Sequence, residues 1–170
     1  MSKLRALSLL PLIACILPAC DHTISERAAR DEVIIVANDD PAMLKAFDKA
    51  HLTFPDFLRR AENPAAGETG FSIKVRISDG TNSEYFWVVP FSHTGSSYSG
   101  TLANDGELIP AYHAGQKITF TEPDIVDWLY HDKTTGAMKG NYTACALLSH
   151  ENPQQAADFM KEYGLDCSDF

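Results

Sequence analysis

Asp124 and Asp127 stand three residues apart beside Trp128, a spacing that would put both carboxylates on one face of a helix. Paired carboxylates divide acid and base roles when their environments differ. The same residues also have a structural reading, in which Asp124 completes a Thr-x-x-Asp capping box begun by Thr121, and Asp127 accepts hydrogen bonds from nearby backbone or from Lys74. A hydrolase would need a histidine beside the pair. The six histidines are scattered, with no two at ligand spacing on one helix, and His93, His113 and His131 fall in expected turns or strand ends. Ser96, Ser97 and Ser99 lie in a polar turn without the strained Gly-x-Ser-x-Gly setting of a hydrolase nucleophile. No metal, phosphate-loop or dinucleotide motif is present, so neither a metal nor a cofactor is expected.

The remaining side chains able to do chemistry are Lys74, Glu84, Trp87, Asn104, Asp127, Trp128 and Asn141. Two readings of this set stay open. In one, they surround a concave surface that binds a peptide, a glycan or a protein. In the other, the tryptophans are core while Glu84, Asp127 and Asn141 satisfy nearby backbone.

The elements that must position these residues begin with a hairpin. Ser83 to Pro90 is the most strand-like run and is apolar on both alternating faces, which places it in the middle of a sheet. Phe71, Ile73, Val75 and Ile77 alternate with polar residues as a half-buried strand, and the turn at Asp79 to Asn82 joins the two as an antiparallel pair. In that register Phe86 and Val88 face Val75 and Ile73, while Lys74 and Arg76 share a face with Trp87 and Tyr85. Further strands are expected near Tyr98 to Leu102 and Gln116 to Phe120, and Pro123 to Tyr130 reads as a helical turn or an extended rim segment. Leu108 to His113 is ambiguous.

Asp40 followed by Pro41 opens an amphipathic helix to about residue 53, with Pro55 barring straight continuation into Phe57 to Arg60. Asn141 starts another helix. Asn152, Pro153 and Gly164 mark the start and stop of a last one. The fold class is therefore α+β: a small antiparallel sheet of four to five strands with an N-terminal helix and a C-terminal helical segment.

The N-terminus gives an address. Lys3 and Arg5 form the positive start and Leu4 to Leu17 the apolar stretch, so residues 1–19 read as an export signal too short and too proline-broken to span a membrane. Leu17-Pro18-Ala19-Cys20 resembles a bacterial lipobox, which makes Cys20 the expected lipidated N-terminus and the membrane anchor. Residues 20–32 are polar and form a tether, and Val33 to Val36 is a short strand candidate. Asp21 slightly favours the inner membrane. The chain has 14 basic and 23 acidic side chains, net −9, and loss of Lys3 and Arg5 takes the mature form to −11. That acidity disfavours nucleic acid as a partner. With Cys15 removed and Cys20 acylated, Cys145 and Cys167 remain in an exported protein and are expected to pair.

Read in order, Ala42-Met43, Phe57, Phe71 to Lys74, Glu84 to Val88, Gly100 to Asn104, Gly115, Ile125 to Trp128 and Gly140 to Thr143 resemble the bacterial YegJ-like domain-of-unknown-function family over residues 40–149. The resemblance implies a small α+β domain, often exported or lipid-anchored, with no established activity, and it leaves out the C-terminal helix and tail. The chain thus divides into a signal (1–19), a lipidated tether (20–32), an α+β domain (33–149) and a disulfide-stapled tail (150–170). The expected function is a non-enzymatic envelope module facing the periplasm that binds an envelope protein or a peptidoglycan-related partner. The alternatives are an immunity-type toxin antagonist, a hydrolase using Asp124, Asp127 and a histidine, and a purely structural envelope component.

Overall fold

The computed structural model describes residues 40–170. The signal, Cys20, the tether and the strand candidate Val33 to Val36 lie outside the described residues. Helix α1 (Pro41–Glu62) is capped by Asp40, whose carboxylate accepts the Met43 N–H at 2.9 Å. It is followed by β1 (Glu68–Ser78), β2 (Ser83–Thr94), β3 (Ser97–Leu102), β4 (Lys117–Thr121), a 3-10 turn (Glu122–Asp124), β5 (Ile125–Asp132) and β6 (Ala137–Gly140). Helices α2 (Tyr142–Leu148) and α3 (Pro153–Tyr163) complete the chain.

The six strands form one antiparallel sheet in the order β4-β3-β2-β1-β5-β6. The β1–β2 register is the expected one, with Ile73 opposite Val88, Val75 opposite Phe86, Lys74 opposite Trp87 and Arg76 opposite Tyr85. Alternation therefore gives the sheet one apolar face, and α1 lies across it: Phe57 stacks on Trp128 at 4.9 Å and also meets Phe71 and Phe91. The other face carries Lys74, Trp87 and Asp127 side by side.

Three expectations needed revision. The sheet has six strands rather than four to five, because Ala137 to Gly140, too short and too poor in β-branched residues to read as a strand, pairs with β5 once the turn at Lys133 to Gly136 brings it back. The segment from Ile125 is an interior strand between β1 and β6, not a helical turn or a rim. The first helix runs through Pro55 to Glu62, because Phe54 and Phe57 on either side of that exposed proline are both fully buried. Tertiary packing outweighs a missing helical hydrogen bond there.

The C-terminus packs as a second small apolar cluster of Cys145, Leu148, Ala156 and Leu165. Beyond α3, Met138 donates its N–H to Gly164 O at 2.7 Å and Leu165 makes a parallel bridge to Met138. The tail therefore covers the outer edge of β6, an edge that would otherwise present unpaired backbone. A disulfide joins Cys145 to Cys167, and Lys139 pairs with Asp166 at 2.6 Å.

Candidate functional site

Lys74, Trp87 and Asp127 occupy neighbouring positions on β1, β2 and β5. The Lys74 ammonium lies over the Trp87 ring, 4.4 Å from its centroid, and donates to Thr143 Oγ1 at 2.6 Å. Thr143 passes the interaction on, its hydroxyl donating to Asp127 Oδ2 at 2.7 Å. Thr143 was not among the residues picked out for chemistry. Its sequence signals are its place directly after Asn141-Tyr142 at a helix start and its membership of the Gly140 to Thr143 motif.

Asp127 is fully buried, and its two oxygens collect four donors: the N–H groups of Trp128 (2.8 Å), Tyr142 (3.2 Å) and Thr143 (2.8 Å), and the Thr143 hydroxyl. Asn141, which precedes α2, sits in the left-handed region at φ 53° and supplies no capping bond from its side chain. A carboxylate from the neighbouring strand therefore caps α2, matching the negative charge to the positive end of the helix. Burial pushes the Asp127 carboxyl up, opposed by the Lys74 charge and by the donors from Thr143 and Trp128. Burial likewise pushes the Lys74 amine down, against the attraction of Asp127. Three of Asp127's four partners are backbone N–H groups, which can only donate, and the geometry therefore favours the ionised form.

Glu84 does similar work on the opposite face of the sheet. Its buried carboxylate accepts from the N–H groups of Glu107 (2.8 Å), Leu108 (3.1 Å) and Ile109 (3.0 Å), pinning the long connection between β3 and β4. Asn104 anchors the same connection to the sheet by accepting the Trp87 N–H at 2.9 Å. Trp128 is core, and its indole N–H donates to Ala50 O at 3.1 Å. Asn141 donates to Met138 Sδ at 3.4 Å, while its Oδ1 is buried without a partner among the described residues.

The seven candidates thus do not make one concave surface. Lys74, Trp87 and Asp127 come together, and Glu84 and Trp128 belong to the other face. Asp124 and Asp127 do not share a helix face either, since Asp124 lies in the 3-10 turn and Asp127 in β5. Asp124 accepts the backbone N–H of Thr121 at 2.8 Å and its hydroxyl at 2.9 Å, the capping role expected of it. Among the described residues no group of three His, Cys, Asp or Glu side chains could hold a metal ion, and no helix is long and apolar enough to cross a membrane.

No solved structure matches the chain. It is similar to the uncharacterized protein YegJ of Escherichia coli (strain K12), with 27% identity over 132 residues that cover 77% of this chain and 82% of that protein. A family model described as an uncharacterized protein conserved in bacteria, DUF2314, matches residues 40–167 and so takes in α3 and both cysteines of the disulfide, beyond the 149 at which the motif resemblance stops. On that match, which spans α1, all six strands and the stapled tail, the chain belongs to the bacterial DUF2314 family.

Proposed function

We propose that this protein is a lipid-anchored component of the bacterial cell envelope, held to the membrane through Cys20 and facing the periplasm, that acts by binding rather than by catalysis. One observation carries the reading: the acidic groups that a hydrolase would draw on are committed to backbone, Asp127 to the start of α2, Glu84 to residues 107–109 and Asp124 to Thr121. A carboxylate surrounded by fixed donors is a poor proton shuttle and a good structural anchor. Lys74 and Trp87, the half-buried members of the polar row, form the face offered to an envelope protein or a peptidoglycan-related partner.

The anchor is tested by expressing the full chain in a bacterium and measuring the mass and detergent partitioning of the product. An acylated N-terminal cysteine, lost in Cys20→Ser together with membrane association, supports the reading; an unmodified, freely soluble chain refutes it. The binding face is tested by affinity capture from envelope extract. A stoichiometric partner retained by the native protein and lost by a folded Trp87→Ala variant supports it, and capture that does not depend on Trp87 removes this face from consideration.

A further inference from the structure

The two faces of the sheet differ in charge as well as in polarity. On the face away from the apolar core, the strand registers place Lys74 and Arg76 on β1, Trp87 on β2, Thr101 on β3 and Lys117 on β4. The six described strands put one carboxylate there, Asp127, which is buried and committed to the start of α2. Lys74 answers Asp127, and neither Arg76 nor Lys117 pairs with a carboxylate among the described residues. The carboxylates of the flanking turns accept backbone N–H groups close to themselves in the chain: Asp79 from Thr81 and Asn82, Asp105 from Ala114, and Asp124 from Thr121. Glu122 bears on Tyr98, which belongs to the core face. Two uncompensated cations therefore share this face in a chain of net −9.

Between β2, β3 and β4 the same face holds a hollow of about 580 Å³. Ser92, Ser99, Thr101 and Thr119 line it with hydroxyls, Lys117 adds an ammonium, and Phe91 at the bulge of β2 adds an apolar wall. The Ser92 and Ser99 hydroxyls meet at 3.1 Å. Among the described residues no hydrogen bond occupies the Thr101 or Thr119 hydroxyl, so both are open to a ligand. Trp87 stands beside the hollow, since it and Thr101 flank the Val88–Leu102 pair on this face.

We propose that the hollow and Trp87 together bind a carboxylate-bearing oligosaccharide laid across the strands, one sugar against the part of the Trp87 ring that Lys74 leaves open and the next among the hydroxyls, with its carboxylate on Lys117. The inference rests on the reading that this face takes a peptidoglycan-related partner, and it supplies that partner's chemical class. Side-chain hydroxyls both donate and accept, which matches a ligand whose own surface is hydroxyls. A half-buried indole offers a flat apolar platform to the C–H face of a sugar ring. The unpaired ammonium distinguishes an acidic sugar from a neutral one. From β2 to β4 the distance is two strand spacings, about 10 Å, which is room for two sugar rings.

The test titrates the full chain, in detergent micelles, with two tetrasaccharides. One alternates N-acetylglucosamine with N-acetylmuramic acid; the other is N-acetylglucosamine throughout and lacks only the lactyl carboxylates. Saturable binding of the acidic probe is expected, about fivefold tighter than that of the neutral one. Lys117→Gln, at an exposed position, should bring the acidic probe down to the affinity of the neutral probe and leave the neutral probe unchanged. Thr101→Val should weaken both several-fold, and Lys117→Gln decides the question if that variant does not fold. Equal affinity for the two probes, or an acidic-probe affinity indifferent to Lys117→Gln, would overturn the proposal. So would equally tight binding of a capped peptide of four glutamates, which would make an acidic protein segment the occupant. Failure of the class and failure of the face give different results. Affinity that ignores Lys117 and still falls in Trp87→Ala removes the acidic sugar and keeps the binding face, whereas affinity and capture that both ignore Trp87 remove the face itself.

Discussion

Lys74 and Thr143 meet at 2.6 Å across 69 positions of sequence, and through the Thr143 hydroxyl the ammonium reaches the Asp127 carboxylate. A cation in the middle of β1, the first strand of the central hairpin, is thereby linked to the carboxylate that caps a helix near the C-terminus. The chain uses buried charge at this point to fix where α2 begins.

Removing Asp127 should therefore be far more damaging than removing the network as a whole. Asp127→Ala leaves two helix N–H groups and the Thr143 hydroxyl without their acceptor and the Lys74 ammonium without a counter-charge, a loss of about 3–5 kcal/mol. Thr143→Val, which breaks only the relay, should lose about 1–3 kcal/mol. Lys74→Met combined with Thr143→Val should recover part of that loss, because the unpaired ammonium is then gone. Urea unfolding of Lys74→Met, Thr143→Val and the double variant, beside Asp127→Ala, measures this; strictly additive losses would show that Lys74 and Thr143 are not coupled.

The tail provides an acid-sensitive contact. Asp166 is held at about 2 against its ordinary 3.8, first by the Lys139 side chain and then by the Ser168 hydroxyl and N–H. The fold binds the ionised form, so this contribution is complete above pH 3.8 and disappears as pH falls through about 2. Asp166 is one-third exposed, and solvent screening brings the contribution to about 1 kcal/mol. Asp166→Asn should flatten the acid limb of the stability profile between those two values while leaving its neutral plateau lower by the same amount. An unchanged acid limb would assign the tail's hold to other contacts.

Reduction of Cys145–Cys167 should remove about 3 kcal/mol, the chain-entropy value for a loop of 22 residues. The tail is also held by the Met138–Leu165 bridge and the Lys139–Asp166 pair. Hydrogen exchange should therefore rise first at Leu165 and Asp166, whose N–H groups bond to Met160 and Met138, while Ile73 and Val75 in the central strands keep their protection. Loss of protection everywhere at once would mean that the tail is part of the main cooperative unit.

The central hairpin was legible because period-two alternation and the Asp79 to Asn82 turn together leave one register, and that register alone puts Lys74 beside Trp87. The caps of α1 and α3 were legible because Asp-Pro and Asn-Pro act within three residues of themselves. What brings Thr143 to Lys74 is the return of the chain through β6, and Ala-Met-Lys-Gly carries no strand signal of its own. Glu84 reads in the sequence as a residue that satisfies backbone, but which backbone was hidden for the same reason, since its partners at 107–109 lie in a connection without periodicity. Pattern reading finds elements, and a buried carboxylate takes its meaning from which distant backbone it meets.

Pro55 offers the last prediction. It lies inside α1 on the exposed side, and its missing N–H leaves the carbonyl of His51 without its helical donor. Around it the helix draws on other donors: the Thr53 hydroxyl to Lys49 O at 2.7 Å, and the Trp128 indole to Ala50 O at 3.1 Å. Pro55→Ala restores the helical bond and relieves the ring's crowding of the preceding turn, while it returns conformational freedom to the unfolded chain. The first effect is the larger, so the variant should gain about 1–2 kcal/mol in urea unfolding. Trp128 reports whether the gain is local, since its emission should stay unchanged if the indole keeps its bond to Ala50. A loss of stability accompanied by a shift in Trp128 emission would instead show that the proline-altered turn is what places Ala50 O within reach of the indole.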